Sequence, residues 1–200
     1  MKALVTGAAG FVGYHLSRNL ISHGYEVIGV DNFNKYYSPD LKRLRERNLK
    51  NLGIEILDFD IRDTNLTGEL IEKFDPEIVF HLAAQAGVRL PKAKMMQYVD
   101  SNLTGFGNVL SQTIINEVPY FIYASSSSVY GDSLNYPYRE NATNLNPKSF
   151  YGGTKLSNEI LAKIATQKSG TRSRGLRFFT VYGEFGRPDM AYYKLRSEEH

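Results

Sequence analysis

Tyr151 and Lys155 stand four residues apart in a segment whose pattern continues as helix, so they share one face a turn apart. A phenol with a pKa of about 10 is a poor base at neutral pH, and bringing it near 7 needs roughly 4 kcal/mol of preferential stabilisation of the phenolate. An ammonium one turn away is a source of that stabilisation. Isolated Tyr-x-x-x-Lys pairs are common as plain helix-surface contacts, so the weight of this one depends on its surroundings. Just upstream, Ser125-Ser-Ser-Ser128-Val-Tyr-Gly131 closes a strand pattern. A hydroxyl there can bridge a substrate hydroxyl to the phenolate; the competing reading is a polar strand-to-loop turn.

A second group of residues suggests what those reacting groups would work with. Gly7-Ala-Ala-Gly10-Phe11-Val12-Gly13 follows the first strand pattern and opens the first helix pattern. The first glycine allows a tight turn, the second a close approach of backbone to a pyrophosphate, and the third close helix–strand packing, with the helix N-terminus facing the anion. Asp31 closes the second strand eighteen residues beyond Gly13. A carboxylate there accepts the adenosine ribose hydroxyls and repels a 2′-phosphate, which favours NAD over NADP. Lys35 and Arg43 read as a solvated face. The positive ring of a bound nicotinamide would help Lys155 lower the Tyr151 pKa.

The elements that must position these groups alternate. Strands are expected at Lys2–Thr6, Glu26–Asp31, Ile54–Asp60, Glu77–Leu82, Tyr120–Ser125 and Arg174–Tyr182, several of them continuous apolar runs suited to a parallel sheet buried on both faces. Helices are expected at Phe11–His23, Pro39–Asn51, Thr64–Phe74, Met95–Glu117 and Ser149–Lys168. The last carries an apolar stripe at Leu156, Ile160 and Ile164, suited either to packing on the sheet or to pairing with a second chain. The pattern predicts an α/β fold, a Rossmann-type doubly wound parallel sheet of six strands over 1–185, with 186–200 only the start of a C-terminal substrate domain.

Composition excludes other classes. The 200 residues contain no cysteine, which removes disulfides, thiolate metal sites and cysteine nucleophiles. His15, His23, His81 and His200 show no ligand spacing, so no metal is expected. A net charge of +3 is too balanced to indicate nucleic-acid binding. No run approaches the roughly 20 apolar residues of a membrane span, and the opening residues do not develop into a signal peptide. The expected location is the cytoplasm.

The glycine spacing, two residues between each pair, resembles the short-chain dehydrogenase/reductase superfamily, and later segments resemble its extended branch of sugar-nucleotide epimerases and dehydratases. By that resemblance Asp31-Asn32 and Asp60-Ile61 contact adenosine. Leu82-Ala83-Ala84-Gln85 forms the loop under the cofactor, and Asn102 lies near the nicotinamide-side ribose. Ser126 falls at the relay hydroxyl, five residues before Gly131. Dehydratases and decarboxylases of this branch carry an acid immediately before Val-Tyr-Gly; Ser128 stands there, which leaves epimerisation as the implied reaction.

Asp31-Asn-Phe-Asn-Lys-Tyr-Tyr, His81-Leu-Ala-Ala-Gln-Ala-Gly-Val-Arg89, the four serines and Gly175-Leu-Arg-Phe-Phe-Thr-Val-Tyr-Gly183, then Gly186-Arg-Pro-Asp-Met190, together resemble UDP-glucuronate 4-epimerases. The resemblance implies that Ser126, Ser127, Ser128 and Thr180, beside Phe179, hold a sugar carboxylate, and that Arg187, and more weakly Arg89, serve the acidic nucleotide-sugar. It also implies a bound NAD, oxidation at C4 of a UDP-sugar, a 4-keto sugar that turns over in the pocket, and a homodimer through the two long helices. Departures are Glu184 where proline is usual, a polar stretch at Thr166–Arg174, and a tail, Lys194–His200, without counterpart. Such enzymes exceed 300 residues, so a fragment or natural short form acting only as an NAD-binding module is the alternative, as is a 4-epimerase of neutral UDP-hexoses.

Overall fold

The structure, a computed structural model, describes residues 1–87 and 90–190. Six parallel strands form one sheet: β1 (Lys2–Thr6), β2 (Glu26–Asp31), β3 (Glu55–Asp58), β4 (Ile78–His81), β5 (Tyr120–Ser126) and β6 (Arg172–Phe178), in the order β3-β2-β1-β4-β5-β6. The chain reverses its direction of travel across the sheet between β1 and β4, so a crevice opens at the carboxyl ends of those two strands.

Helices α1 (Phe11–Ser22) and α2 (Pro39–Lys50) cover one face, and α3 (Thr64–Phe74), α5 (Phe106–Ile115) and α6 (Phe150–Thr166) the other; α4 (Met96–Tyr98) leads into α5. The alternation of side chains along β1 builds both cores. Ala3 and Val5 point to a cluster with Tyr14, Leu20 and Leu49, while Leu4 points to one with Val79, Phe106, Val109 and Phe121. Burial on both faces explains why the central strands read as unbroken apolar runs. Among the described residues no helix is long and apolar enough to cross a membrane.

Two expectations shift. The strand expected over Arg174–Tyr182 starts two residues earlier, at Arg172, and runs only as far as Phe178, because its ladder partner β5 ends at Ser126, paired with Phe178, and then coils into a tight helical turn, Ser127–Tyr130. Phe179–Tyr182 therefore leaves the sheet at its carboxyl edge. The expected single helix over Met95–Glu117 is interrupted by a π-helical stretch, Val99–Gly105, a feature that re-aims side chains and recurs at functional sites.

The stripe on α6 turns outward: Ile160 and Ile164 are 51% and 62% exposed, and Ala162 packs inward instead.

Candidate active site

The glycine turn is held from below. The Val30 carbonyl at the end of β2 accepts from Gly7 N at 2.7 Å and Ala8 N at 3.1 Å. Gly7 has φ +72°, and a Cβ there would come within 2.7 Å of Ala83 N; a Cβ on Gly13 would lie 2.1 Å from the Gly7 carbonyl oxygen. Only glycine fits either place. Gly10 caps α1 without a side-chain hydrogen bond, and no acidic residue stands in its first turn. The first amides of α1 thus have no capping side chain and face a cavity of about 690 Å³ lined by Gly7, Gly10, Phe11, Val12 and Gly13. Uncapped amides at the positive end of a helix dipole fit the diphosphate of a dinucleotide.

Further along the same cavity lie Asp31, Asn32, Asp60 and Ile61. Asn32 Nδ2 donates to Asp60 at 2.9 Å, and Arg62 Nε donates to the same carboxylate at 2.9 Å. Burial alone would raise the Asp60 pKa, but the Arg62 and Asn32 hydrogen bonds outweigh it and hold the carboxyl below its ordinary value. Asp31 accepts from Phe33 N at 2.8 Å and pairs with Lys42 at 3.4 Å, both side chains being buried. Sequence reasoning weighed Lys35 and Arg43 and missed Lys42. Arg43 instead stacks on Phe33, 3.5 Å from the ring centre, and pairs with Asp58. The missed signal is periodic: Lys42, Arg45 and Leu49 are the buried residues of α2, so two cations occupy its inward stripe.

Leu82, Ala83, Ala84 and Gln85, the loop after β4, form the floor. Asn102, expected beside them, is not among the lining residues. It lies in the π-helical stretch, where it is fully buried; its Oδ1 accepts from Gln85 N at 2.8 Å and its Nδ2 donates to Thr154 Oγ1 at 3.1 Å. Asn102 thus links the loop to α6 from behind the wall. Arg89 lies outside the described residues, as does the tail Lys194–His200.

At the far end are Tyr151, Lys155 and the serines. The Ser126 hydroxyl accepts from Ser128 N at 3.1 Å and favours the Tyr151 phenolate. Ser125 is committed to Glu159 on α6, while Ser127, Ser128, Phe179 and Thr180 line the cavity. Lys155, 2% exposed, donates to the Ala124 carbonyl at 2.9 Å, and burial pulls its pKa down to about 8.

In the protein alone burial raises the Tyr151 pKa, opposed by the Ser126 hydroxyl and the Arg187 charge. Lys155 donates its hydrogen bond to the Ala124 carbonyl rather than to the phenol.

Arg187 is forked onto Asp189 at 2.6 and 3.0 Å, and Asp189 also accepts from the Tyr36 hydroxyl at 3.0 Å. Tyr36 and Asp189 line the cavity and were not anticipated.

Residues 3–196 match the family described as NAD dependent epimerase/dehydratase. The chain belongs to that family. It is 48% identical over 194 residues to UDP-glucuronate 4-epimerase 4 of Arabidopsis thaliana, covering 96% of this chain and 44% of the relative. With Protein CapI of Staphylococcus aureus it shares 45% over 198 residues, covering 98% and 58%. A crystal structure of UDP-glucuronic acid 4-epimerase from Bacillus cereus, in complex with UDP-glucuronic acid and NAD, superimposes with a TM-score of 0.90 at 36% identity, covering all of this chain and 63% of that one. The chain spans about half the length of the curated relatives it matches. The six-stranded doubly wound sheet is the architecture of these family neighbours.

Proposed function

We propose that the chain carries the catalytic half of an NAD-dependent epimerase that inverts C4 of a UDP-sugar, UDP-glucuronate to UDP-galacturonate, through a 4-keto sugar. One observation carries this reading. The Tyr151 phenol and the Ser126 hydroxyl line the same cavity as the uncapped amides of α1. NAD bound along the glycine turn, Asp31, Asn32, Asp60, Ile61 and the loop Leu82–Gln85 would supply reversible hydride acceptance.

The chain's own residues do the rest. Tyr151 takes the proton of the 4-hydroxyl, directly or through Ser126, and returns it after the sugar has turned over. Lys155, fixed on the Ala124 carbonyl, keeps a positive charge beneath the site. Ser127, Ser128 and Thr180 offer hydroxyls that bind a carboxylate without a full counter-charge, and Arg187 can fork onto a phosphate. Ser128, where related dehydratases and decarboxylases hold an acid, removes the group those reactions need.

In this reading residues 1–185 are the cofactor domain and the chain from 186 begins the substrate side. Two chains would pair through the long helices, whose outer faces expose Ile115, Ile160, Leu161 and Ile164; light scattering reads that directly. The test of function is to load the chain with NAD, add UDP-glucuronate and follow the sugar by NMR. Interconversion that ends with Tyr151→Phe while NAD stays bound supports the proposal, and unchanged turnover in that variant refutes it. UDP-glucose turned over equally well would favour a neutral-hexose enzyme. Because the chain spans only part of its relatives, NAD binding without conversion would favour a cofactor module.

A further inference from the structure

Of the two cations on the inward face of α2, Lys42 is balanced by Asp31 and Arg45 is not. Arg45 is fully buried, and among the described residues no carboxylate lies within ion-pair distance of it. Its partners are neutral oxygens. Nη1 donates to the Ala9 carbonyl at 2.9 Å and the Tyr37 hydroxyl at 2.6 Å; Nη2 donates to the Phe185 carbonyl at 2.6 Å and, more weakly, the Gly186 carbonyl at 3.5 Å. Nε has no partner.

These oxygens belong to three separate stretches. Ala9 is in the glycine turn, Tyr37 in the β2–α2 loop, and Phe185 and Gly186 in the segment that ends at Arg187. A parallel tie joins the same loop to the same segment, from the Tyr36 hydroxyl to Asp189, the residue that holds Arg187. A guanidinium is a rigid plane with its donors in fixed directions, so displacement of one partner is felt by the others. Two of the three stretches are held by main-chain oxygens, so the link is to backbone position.

We propose that Arg45 is a positioning residue coupling the two ends of the cavity: a dinucleotide on the glycine turn fixes Ala9, and Arg45 passes that constraint to 185–186 and so to Arg187. The inference rests on the reading of the cavity as a dinucleotide site. It adds that filling one end prepares the other.

Hydrogen–deuterium exchange on the whole chain, with and without NAD, tests it. NAD should slow exchange in peptides covering 5–13 and 183–190 together, the second by about tenfold, within the range usual for coupled sites. Arg45→Lys keeps the charge but cannot reach all three stretches; it should retain protection at 5–13 and lose it at 183–190. Should that variant fail to fold by its melting profile, Arg45→Gln, neutral and short, takes its place with the same expectation. Protection of 183–190 that persists in the folded variant, or is missing from the wild type while 5–13 is protected, overturns the proposal. If NAD protects neither segment, the dinucleotide reading falls. The coupling is then judged on the free chain, where the substitution must speed exchange at 5–13 and 183–190 together, and a change at neither or only one overturns it.

Discussion

The Lys155 ammonium lies 5.8 Å from the centre of the Tyr151 ring, yet its hydrogen bond goes to the Ala124 carbonyl at 2.9 Å, while the hydroxyl that favours the Tyr151 phenolate is that of Ser126. The two groups of the Tyr-x-x-x-Lys pair thus answer, in the protein alone, to different residues of the same strand.

From this follows the first prediction. Ser126→Ala should raise the Tyr151 pKa above its already elevated value, since it removes the hydroxyl that favours the phenolate. Lys155→Met should move it much less in the NAD-free chain. Ultraviolet difference titration against the matching Tyr151→Phe backgrounds isolates this one phenol among 14 tyrosines. A larger shift from Lys155→Met than from Ser126→Ala would reverse the assignment.

Gly13→Ala tests the turn. The added methyl would sit 2.1 Å from the Gly7 carbonyl oxygen, which is backbone and cannot swing aside. Overpacking of this kind costs about 1–3 kcal/mol, measurable as a lower urea midpoint. Moving the turn also misaligns the α1 amides, so NAD affinity measured by calorimetry should fall at least about tenfold. Wild-type affinity in a folded Gly13→Ala chain would mean the turn is not where the diphosphate binds.

How much of this the sequence could reveal depended on whether the deciding force was local. The glycine turn, Asp31 and the central strands were legible because φ, close approach and two-sided burial constrain residue type directly. The end of β6 was not, since Phe179–Tyr182 is apolar enough to continue the strand and stops only because β5 curls away at Ser127. Asn102 was placed on the ligand side by resemblance alone, and the π-helical stretch that holds it behind the wall leaves no mark in helical periodicity. Lys42 and Arg45 hid in a helix of mostly charged residues, where only the period of burial separates an inward cation from a solvated one. Tyr36 and Asp189 meet across 153 residues, and no spacing rule reaches that far.

His81 should make the fold acid-sensitive. Its ring is buried, it shares a hydrogen bond of 2.8 Å with Thr6 Oγ1, and burial, then the Lys155 charge, pulls its pKa down to about 3. An unfolded histidine titrates near 6.5, so between about pH 6.5 and 3 the unfolded chain binds the extra proton and stability falls as pH falls. The stability is whole above the unfolded value and lost progressively toward the folded one. His81→Gln, which keeps a partner for Thr6 but does not titrate, should flatten this part of the profile. The difference in melting temperature between variant and wild type, followed from pH 7 to pH 4, isolates His81 from the carboxylates. A difference independent of pH would mean that the ring takes up its proton as readily in the native state as in the unfolded one.

Glu159 stands one turn beyond Lys155 on α6, accepts from Ser125 of β5, and is forked by Arg177 of β6 at 2.8 and 2.9 Å. It therefore pins the helix that carries Tyr151 and Lys155 to both strands beneath it. The pair is only 15% and 16% exposed, so removing one partner strands a half-desolvated charge. Arg177→Met should cost about 2–3 kcal/mol, below the 3–5 of a fully buried pair because solvent screens part of it. Arg177→Lys should recover only part, since a single ammonium cannot reproduce the fork. Most telling is the double variant with Glu159→Gln, in which no stranded carboxylate remains: its cost should be well under the sum of the two single costs. Urea unfolding of the four chains measures this, and strictly additive costs would show that Glu159 and Arg177 hold α6 independently.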